Sequence, residues 1–177
     1  MATIRDARDD DLGGILAIYN HAIETTTSVF ANRPHTLEMR REWLSAKRGA
    51  NLPVIVAAED DRVLGFATYG PFRTWPGYKY SVEHSVYVAL DARGRGFGRA
   101  LVEEVVRRAR EQDLHAIVAG IASENQVSIR LHKKLGFVES ASLREVGFKF
   151  GRWLDLMFMQ LILDTPRHPR DAEEEGR

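Results

Sequence analysis

The chain has 177 residues, of which 44% are hydrophobic, and its 25 lysine and arginine residues balance 25 aspartate and glutamate residues. This length and composition are typical of one globular domain with its own core. The absence of cysteine excludes disulfides, thiolate zinc sites and a cysteine nucleophile, while the zero net charge argues against a general binder of nucleic acid or anionic membranes.

The N-terminal part of the chain predicts one strand and two helices. Residues 3–7 form the strand, and the three aspartates that follow can cap the first helix. That helix extends to about Ala22, because its apolar residues recur at helical spacing: Leu12, Ile15, Leu16, Tyr19 and Ile23. A polar loop follows over residues 24–34, and Thr36 caps a second helix that ends near Gly49.

The middle of the chain predicts a hairpin and then alternating strands and helices. Residues 53–58 are almost continuously apolar, which predicts a strand buried on both faces, and residues 63–69 form the second strand of the hairpin. A loop rich in glycine, proline and aromatic residues precedes a strand over residues 80–88. A helix over residues 96–112 and a strand over residues 114–121 follow.

The C-terminal part predicts a helix over residues 125–135, a short strand over residues 137–140, a turn over residues 147–150 and a final strand over residues 153–163. Three antiparallel strands followed by alternating strands and helices favour one mixed α/β sheet with helices on both faces. We therefore expect a single domain over residues 1–164.

Two features of the sequence indicate where the protein is found in the cell: the composition of its C-terminal residues and the absence of long apolar runs. Residues 165–177 contain two prolines, a glutamate run and almost no apolar residue, which predicts a disordered polar tail. The N-terminus has no long apolar run, and no later segment approaches the length needed to span a membrane. We expect a cytoplasmic protein that binds neither membranes nor nucleic acid.

Three glycines in five residues stand between the strand over residues 80–88 and the next helix, in the stretch Arg93-Gly-Arg-Gly-Phe-Gly98. A tight turn explains them, because glycine tolerates positive φ. An anion cradle explains them equally, because free N–H groups at a helix N-terminus attract a phosphate. A nucleoside-triphosphate P-loop is excluded, since Gly98 is followed by arginine and alanine, and the spacing excludes a dinucleotide fingerprint.

The spacing Arg93-x-x-Gly96-x-Gly98 resembles the Arg/Gln-x-x-Gly-x-Gly/Ala signature of the GNAT superfamily of acetyl-CoA-dependent N-acetyltransferases. The strand before it, the helix after it and the segment from Asn125 to Phe137 also stand where this superfamily has them. About residues 4–163 are more specifically similar to phosphinothricin and methionine sulfoximine acetyltransferases. The stretches that carry this similarity are Ile18-Tyr-Asn-His21, Glu83-His-Ser-Val-Tyr-Val88, Leu131-His132 and Gly147-Phe-Lys-Phe-Gly-Arg-Trp-Leu-Asp155.

The resemblance implies the fold and the acetyl donor. The superfamily has a central, mostly antiparallel sheet with a splayed parallel pair, flanked by helices. In it the pyrophosphate of acetyl-CoA lies on the glycine turn, and the pantetheine arm pairs with the preceding strand like an added edge strand. The implied cofactor-binding residues are Val86, Tyr87, Val88, Arg93, Gly94, Arg95, Gly96, Phe97, Gly98, Arg99, Asn125 and Ser128. Asn125 and Ser128 are also explained as plain helix caps. The histidines are scattered, and we expect no metal.

Acetyl transfer to an amine needs a base, an oxyanion donor and an acid for the leaving thiolate. The resemblance implies Glu83 as the base and His132 as a second catalytic residue, whose imidazole can donate or accept a proton near neutral pH. On residues alone, a solvent-facing strand glutamate and a helix-surface histidine explain them as well. Whether both act, or only one, stays open. A backbone N–H near Val86 is the expected oxyanion donor.

The acceptor is expected to enter between the early loop and the loop that carries Arg73. A forked guanidinium suits the carboxylate of an amino acid, so Arg73, with Thr74 and Trp75, is the predicted reader of that group. Phe30 is the predicted wall of the side-chain pocket, or simply the anchor of its loop. Lys149 and Arg152 lie in a stretch shared with the family and are equally explained as structural.

The predicted function is transfer of an acetyl group from acetyl-CoA to the α-amine of a small amino-acid analogue, such as methionine sulfoximine, methionine sulfone or phosphinothricin. Two alternatives stay open: an acetyltransferase for another amine or a protein N-terminus, and an acetyl-CoA-binding sensor without catalysis. The resemblance also implies a homodimer, for which the apolar final strand and the region of Trp153 are candidate surfaces.

Overall fold

The computed structural model describes residues 2–170, which form seven strands and four α-helices. Residues 171–177 of the predicted tail lie outside the described residues. The elements are β1 (Thr3–Asp6), α1 (Leu12–Thr25), α2 (Leu37–Gly49), β2 (Val54–Glu59), β3 (Arg62–Pro71), β4 (Ser81–Val88), α3 (Phe97–Glu111), β5 (Ala116–Ala122), α4 (Gln126–Lys134), β6 (Val138–Lys149) and β7 (Arg152–Ile162). Their order is the one predicted from the sequence.

All seven strands belong to one sheet in the order β1-β2-β3-β4-β5-β7-β6. Every neighbouring pair is antiparallel except β4 and β5, which are parallel. Their pairing starts at Ser81 and Ala116 and ends at His84 and Ala119, although both strands continue. The two strands therefore diverge and leave unpaired backbone along the last half of β4. This confirms the predicted mixed sheet with a splayed parallel pair.

Helices cover both faces of the sheet. Successive side chains of a strand point to opposite faces, and in this sheet apolar side chains point to both. On one face, Leu101 and Val105 of α3 pack against a core that includes Ile55 and Ile117. On the other face, α1 and α2 pack against the intervening residues of the same strands, with Ile15 and Leu44 as fully buried contacts. Burial of the whole of residues 54–58 confirms that β2 is covered on both faces.

The last hairpin differs from the prediction. β6 runs to Lys149, and the turn lies at Phe150 and Gly151, both with positive φ, rather than over residues 147–150. The predicted strand over residues 137–140 was too short. Because β6 is an edge strand whose residues 138–146 are all exposed, its sequence lacks the apolar residues by which a buried strand is recognised. Two register shifts further break the alternation that signals a strand.

The segment after β7 lies against the body of the domain as far as Arg170. The Thr165 hydroxyl donates to the carbonyl of Leu114 at 2.5 Å, and the Arg170 N–H donates to the Tyr80 hydroxyl at 3.0 Å. Over residues 2–170, no helix is long and apolar enough to cross a membrane. Within the same range, no group of three or more histidine, aspartate or glutamate side chains could hold a metal ion.

Candidate active site

The glycine turn before α3 has the conformation that its sequence predicts. Gly94 has φ of 76° and Gly96 has φ of 89°, so both occupy the left-handed region that disfavours other residues. A Cβ at either position would meet nothing within 4 Å, so backbone conformation, rather than crowding within the chain, requires the glycines. The first N–H groups of α3, which begins at Phe97 immediately after this turn in the chain, have no intrahelical acceptor. The turn can therefore receive an anion.

A groove of about 870 Å³ runs from the glycine turn along β4 to the start of α4. It is lined by all but one of the predicted cofactor-binding residues, namely Val86, Tyr87, Val88, Arg93, Gly94, Gly96, Phe97, Gly98, Arg99, Asn125 and Ser128. The exception is Arg95, whose guanidinium lies 3.4 Å from the Glu59 carboxylate. The sequence-predicted residues are thus brought together along the unpaired part of β4.

The loop after α1 forms a wall of the groove that the sequence did not predict. Lys149 holds this loop: its ammonium donates to the carbonyls of Thr26 at 2.8 Å and Val29 at 2.6 Å. The side chain is buried, and burial lowers the pKa of Lys149. The contacts place Lys149 as a support of the loop, and the sequence signal was only a lysine between two phenylalanines.

Arg152 supports the same wall from β7. Its guanidinium donates to both oxygens of Glu124, at 2.8 and 2.7 Å, and Glu124 also accepts from the Thr27 hydroxyl at 2.7 Å. These hydrogen bonds lower the pKa of Glu124, first that from Thr27 and then that from Arg152. The three side chains join β7, the start of α4 and the loop after α1, so they set the width of the groove.

A smaller cavity of about 60 Å³ occupies the gap where β4 and β5 diverge. Val86 and Tyr87 line both this cavity and the groove, so the two are adjacent. His132 also lines the smaller cavity. The N–H groups of β4 beyond His84 have no partner on β5. An elongated ligand in the groove can therefore place a carbonyl group beside Val86.

Glu83 lies on β4 just before the strands diverge. Its side chain is half-buried, and burial raises the pKa of Glu83 while the nearby charge of Arg73 lowers it. On β5, a Cβ at position 120 would lie 2.9 Å from the Glu83 Oε1, so Gly120 leaves the space that the carboxylate occupies. A carboxylate whose pKa is raised in this way is suited to accept a proton.

His132 is 1% exposed, and its two ring nitrogens have different partners. Nδ1 lies 2.8 Å from the Ser128 carbonyl, which can only accept, so Nδ1 carries hydrogen. Nε2 lies 3.0 Å from Nε2 of His84 and therefore accepts a hydrogen bond from it. Burial lowers the pKa of His132, and it lowers that of His84 to about 3. The pair is neutral: the Ser128 carbonyl fixes the tautomer of His132, and His84, which the sequence did not single out, donates to its other nitrogen.

A third cavity of about 240 Å³ lies between the α1–α2 layer and the sheet, and Glu83 lines it as well. We call it the acceptor chamber. Its other lining residues are Tyr19, His35, Arg40, Trp43, Lys47, Phe66, Thr68, Tyr69, Gly70, Ser85 and Tyr87. Arg40 was not identified as a site residue from the sequence. The available signal was a charged residue on an apolar helix face, because one face of α2 carries, at helical spacing, Arg40, Trp43, Leu44 and Lys47.

The residues predicted to bind the acceptor line none of these three cavities. Arg73 is exposed and stacks on the Phe72 ring, with 4.5 Å between Cζ and the ring centroid. Thr74 is exposed, and Trp75 is 74% exposed. Phe30 packs on β6, where a Cβ at position 147 would lie 2.6 Å from its Cδ2. Their roles toward the acceptor stay predictions.

Comparisons with known proteins agree across nearly the whole chain. Residues 15–137 match the model of the acetyltransferase (GNAT) family. An L-methionine sulfoximine/L-methionine sulfone acetyltransferase from Pseudomonas paraeruginosa is 49% identical, over 94% of this chain and 97% of its own. The crystal structure of a GNAT superfamily phosphinothricin acetyltransferase from Sinorhizobium meliloti, in complex with acetyl-CoA, is similar with a TM-score of 0.91 at 34% identity, covering 97% of this chain and 94% of that one. The structure of a ribosomal-protein-alanine N-acetyltransferase from Brucella melitensis has a TM-score of 0.89 at 48% identity, covering 91% of this chain and 99% of that one.

Proposed function

The chain belongs to the GNAT family of acetyltransferases, and from this premise we propose that it transfers an acetyl group from acetyl-CoA to the α-amine of a small amino-acid analogue. The family and fold expected from the sequence are confirmed. The acceptor class of the proposal is that of oxidised methionine derivatives and phosphinothricin, which the names of the similar proteins specify. The single observation that carries the proposal is the position of Glu83, which lies where the acceptor chamber approaches the gap between β4 and β5.

In this proposal the groove binds acetyl-CoA. The glycine turn and the N-terminus of α3 receive its pyrophosphate, and the unpaired backbone of β4 receives its pantetheine arm. Acetyl-CoA supplies an activated acyl group as a thioester. The wall formed by the loop after α1, held by Lys149 and Arg152, closes the groove on the opposite side.

Glu83 is the proposed general base. An α-amine carries a proton near neutral pH and must lose it before it attacks a thioester. The neutral amine then forms a bond to the acetyl carbon, and the Val86 N–H stabilises the oxyanion that develops. When the C–S bond breaks, the thiolate leaves and takes up a proton. His132 is the proposed acid for that step. Because the neutral ring holds its one hydrogen on Nδ1 against the Ser128 carbonyl, His132 must first take up the second proton that the attacking nitrogen loses, and it then passes a proton to the thiolate.

The alternative acceptor is a protein N-terminus, and one similar structure is that of a ribosomal-protein-alanine N-acetyltransferase. The acceptor chamber supports the small-molecule proposal because it is a cavity of about 240 Å³ between two layers, whereas a peptide needs an extended surface groove. Thiol release should be measured with methionine sulfone, methionine sulfoximine, phosphinothricin and an alanine-starting peptide. We expect kcat/KM at least about tenfold higher for the amino-acid analogues. Turnover of the peptide alone would contradict the proposal.

A sensor that binds acetyl-CoA without catalysis is tested by Glu83→Gln. Removal of a general base should lower kcat by about 10²–10⁴-fold, while the affinity for acetyl-CoA, measured by calorimetry, stays unchanged because Glu83 does not line the groove. Glu42→Gln, which removes an exposed carboxylate on α2 that lines none of the three cavities, is the matched control. Equal turnover of the Glu83→Gln variant and the parent protein would remove Glu83 from the chemistry.

We further infer a cytoplasmic homodimer. Val146, Phe148, Phe150 and Trp153 at the end of the β6–β7 hairpin are each more than half exposed, and the rings of Phe148 and Trp153 lie 5.1 Å apart. An exposed cluster of this kind supports a contact between subunits. Light scattering should give the mass of a dimer for the parent protein and of a monomer for Trp153→Glu; a monomeric parent protein would contradict the inference.

A further inference from the structure

The acceptor chamber contains a buried guanidinium that has no acidic partner. Arg40 is 3% exposed, and it forms no ion pair with a carboxylate among residues 2–170. Its Nη2 donates to Nδ1 of His35 at 2.9 Å, and its Cζ lies 3.8 Å from the centroid of the Tyr19 ring and 4.8 Å from that of the Trp43 ring. Nε has no hydrogen-bond partner. The group is therefore held rigidly but is not neutralised.

Such an arrangement is costly for the folded protein alone. A buried charge normally has an ionic partner, and a buried donor without an acceptor loses the hydrogen bonds that it made with water. Burial lowers the pKa of Arg40, but a guanidinium stays protonated. Arg40 therefore lacks a hydrogen-bond acceptor for Nε and a negative charge beside its guanidinium. A negatively charged oxygen atom would supply both.

Lys47 adds a second cation to the same chamber. Its ammonium donates to the Tyr69 carbonyl at 2.5 Å, and burial lowers the pKa of Lys47. Their hydrogen bonds go to His35 and to the Tyr69 carbonyl rather than to Glu83, which is the one acidic residue among those that line the chamber. The chamber thus combines two cations, about two turns apart on α2, with aromatic walls and the proposed base.

We propose that Arg40 is the subsite that binds an oxygen-bearing group of the acceptor, with Lys47 as a second cation in the same chamber. The inference rests on the proposed function and specifies where the acceptor lies within it. An amino-acid analogue of the proposed class carries oxygen-bearing groups at both ends, an α-carboxylate and a sulfonyl or phosphinyl head. Either would complete the hydrogen bonding of Arg40, and the aromatic walls formed by Tyr19, Trp43 and Tyr87 would exclude water from the pair.

The test is Arg40→Met, with Arg41→Met as the matched control, since Arg41 is on the same helix but is exposed and paired with Glu38. Binding of methionine sulfone is measured by calorimetry in the presence of CoA, which allows no turnover. We expect Arg40→Met to weaken binding about 10- to 100-fold and Arg41→Met to leave it unchanged. Affinity for acetyl-CoA should stay the same in both variants.

Thermal stability separates a binding role from a structural one. If Arg40 serves to bind the acceptor, Arg40→Met should unfold at the same temperature as the parent protein or at a higher one, because the substitution removes an unpaired buried charge. If Arg40 is structural, the variant should melt at a lower temperature, with equal losses of acceptor and acetyl-CoA binding, and the proposal is overturned.

Two analogues identify the group that Arg40 binds. Methionine lacks the head-group oxygens, and 3-(methylsulfonyl)propylamine lacks the carboxylate. If the effect of Arg40→Met disappears with methionine, the head group is the ligand; if it disappears with the amine, the carboxylate is. An equal effect on both analogues contradicts the subsite. Acetylation by the parent protein tests the proposed function separately, because unchanged binding in Arg40→Met with normal parent turnover rejects only the subsite.

Discussion

At the scale of single residues, the ionisation of Glu83 governs the proposed chemistry. Burial raises the pKa of Glu83, and the charge of Arg73 lowers it. Because the base acts in its ionised form, kcat/KM should rise with pH through this raised pKa. The carboxylate and the guanidinium are therefore coupled, and the pH profile reports that coupling.

Arg73→Leu should move the acid limb of the pH profile to higher pH, since loss of the guanidinium removes the charge that favours ionised Glu83. The measurement is kcat/KM against pH for the parent protein, Arg73→Leu and the surface variant Arg41→Leu, which should match the parent. A limb that stays fixed, or that moves to lower pH, would show that Arg73 does not act on Glu83.

His132 has a structural and a proposed chemical role that a double variant separates. His132→Ala removes the acceptor of the buried His84 N–H and should lower the free energy of unfolding by about 1–3 kcal/mol, as well as lowering kcat. Adding His84→Phe removes the unpaired N–H and should restore part of the stability but none of the turnover. Recovery of turnover along with stability would mean that His132 acts only through packing.

At the scale of elements, the contact between the loop after α1 and β6 shapes the groove. A methyl group at Gly147 would meet the Phe30 ring, whereas one at Gly13 on α1 would meet nothing within 4 Å. Gly147→Ala should therefore lower the free energy of unfolding by about 1–3 kcal/mol and weaken acetyl-CoA binding, because the displaced loop forms a wall of the groove.

Gly13→Ala is the control for that substitution, and it should stabilise the protein by about 0.5–1 kcal/mol through helix propensity. Urea denaturation gives both values, and calorimetry gives the affinity for acetyl-CoA. A Gly147→Ala variant as stable as the parent protein, with unchanged affinity, would show that Phe30 and its loop move without cost.

Much of the element pattern followed from local sequence because most strands and helices are buried on at least one face. The glycine turn was predictable because its φ values allow few other residues. The exposed edge strand β6 carried no alternation, so its length was missed. The acceptor chamber was missed for another reason: it joins α1, α2, β3 and β4, and Arg40 and Glu83 are distant in sequence.

At the scale of the whole molecule, the sheet brings two binding regions together from different sides. The groove that we propose binds acetyl-CoA follows the unpaired end of β4, and the acceptor chamber lies under α1 and α2. Residues of β4 belong to both, because alternate side chains of a strand point to opposite faces while its backbone is shared. The divergence of β4 from β5 is thus the feature of the fold on which the function depends.

The most direct test of this account is mass spectrometric analysis of the product formed from acetyl-CoA and L-methionine sulfone or L-phosphinothricin. We expect release of one thiol for each acceptor that gains one acetyl group on its α-amine, with the rate reduced by about 10²–10⁴-fold in Glu83→Gln. Binding of acetyl-CoA by the parent protein without formation of either acetylated product would contradict it.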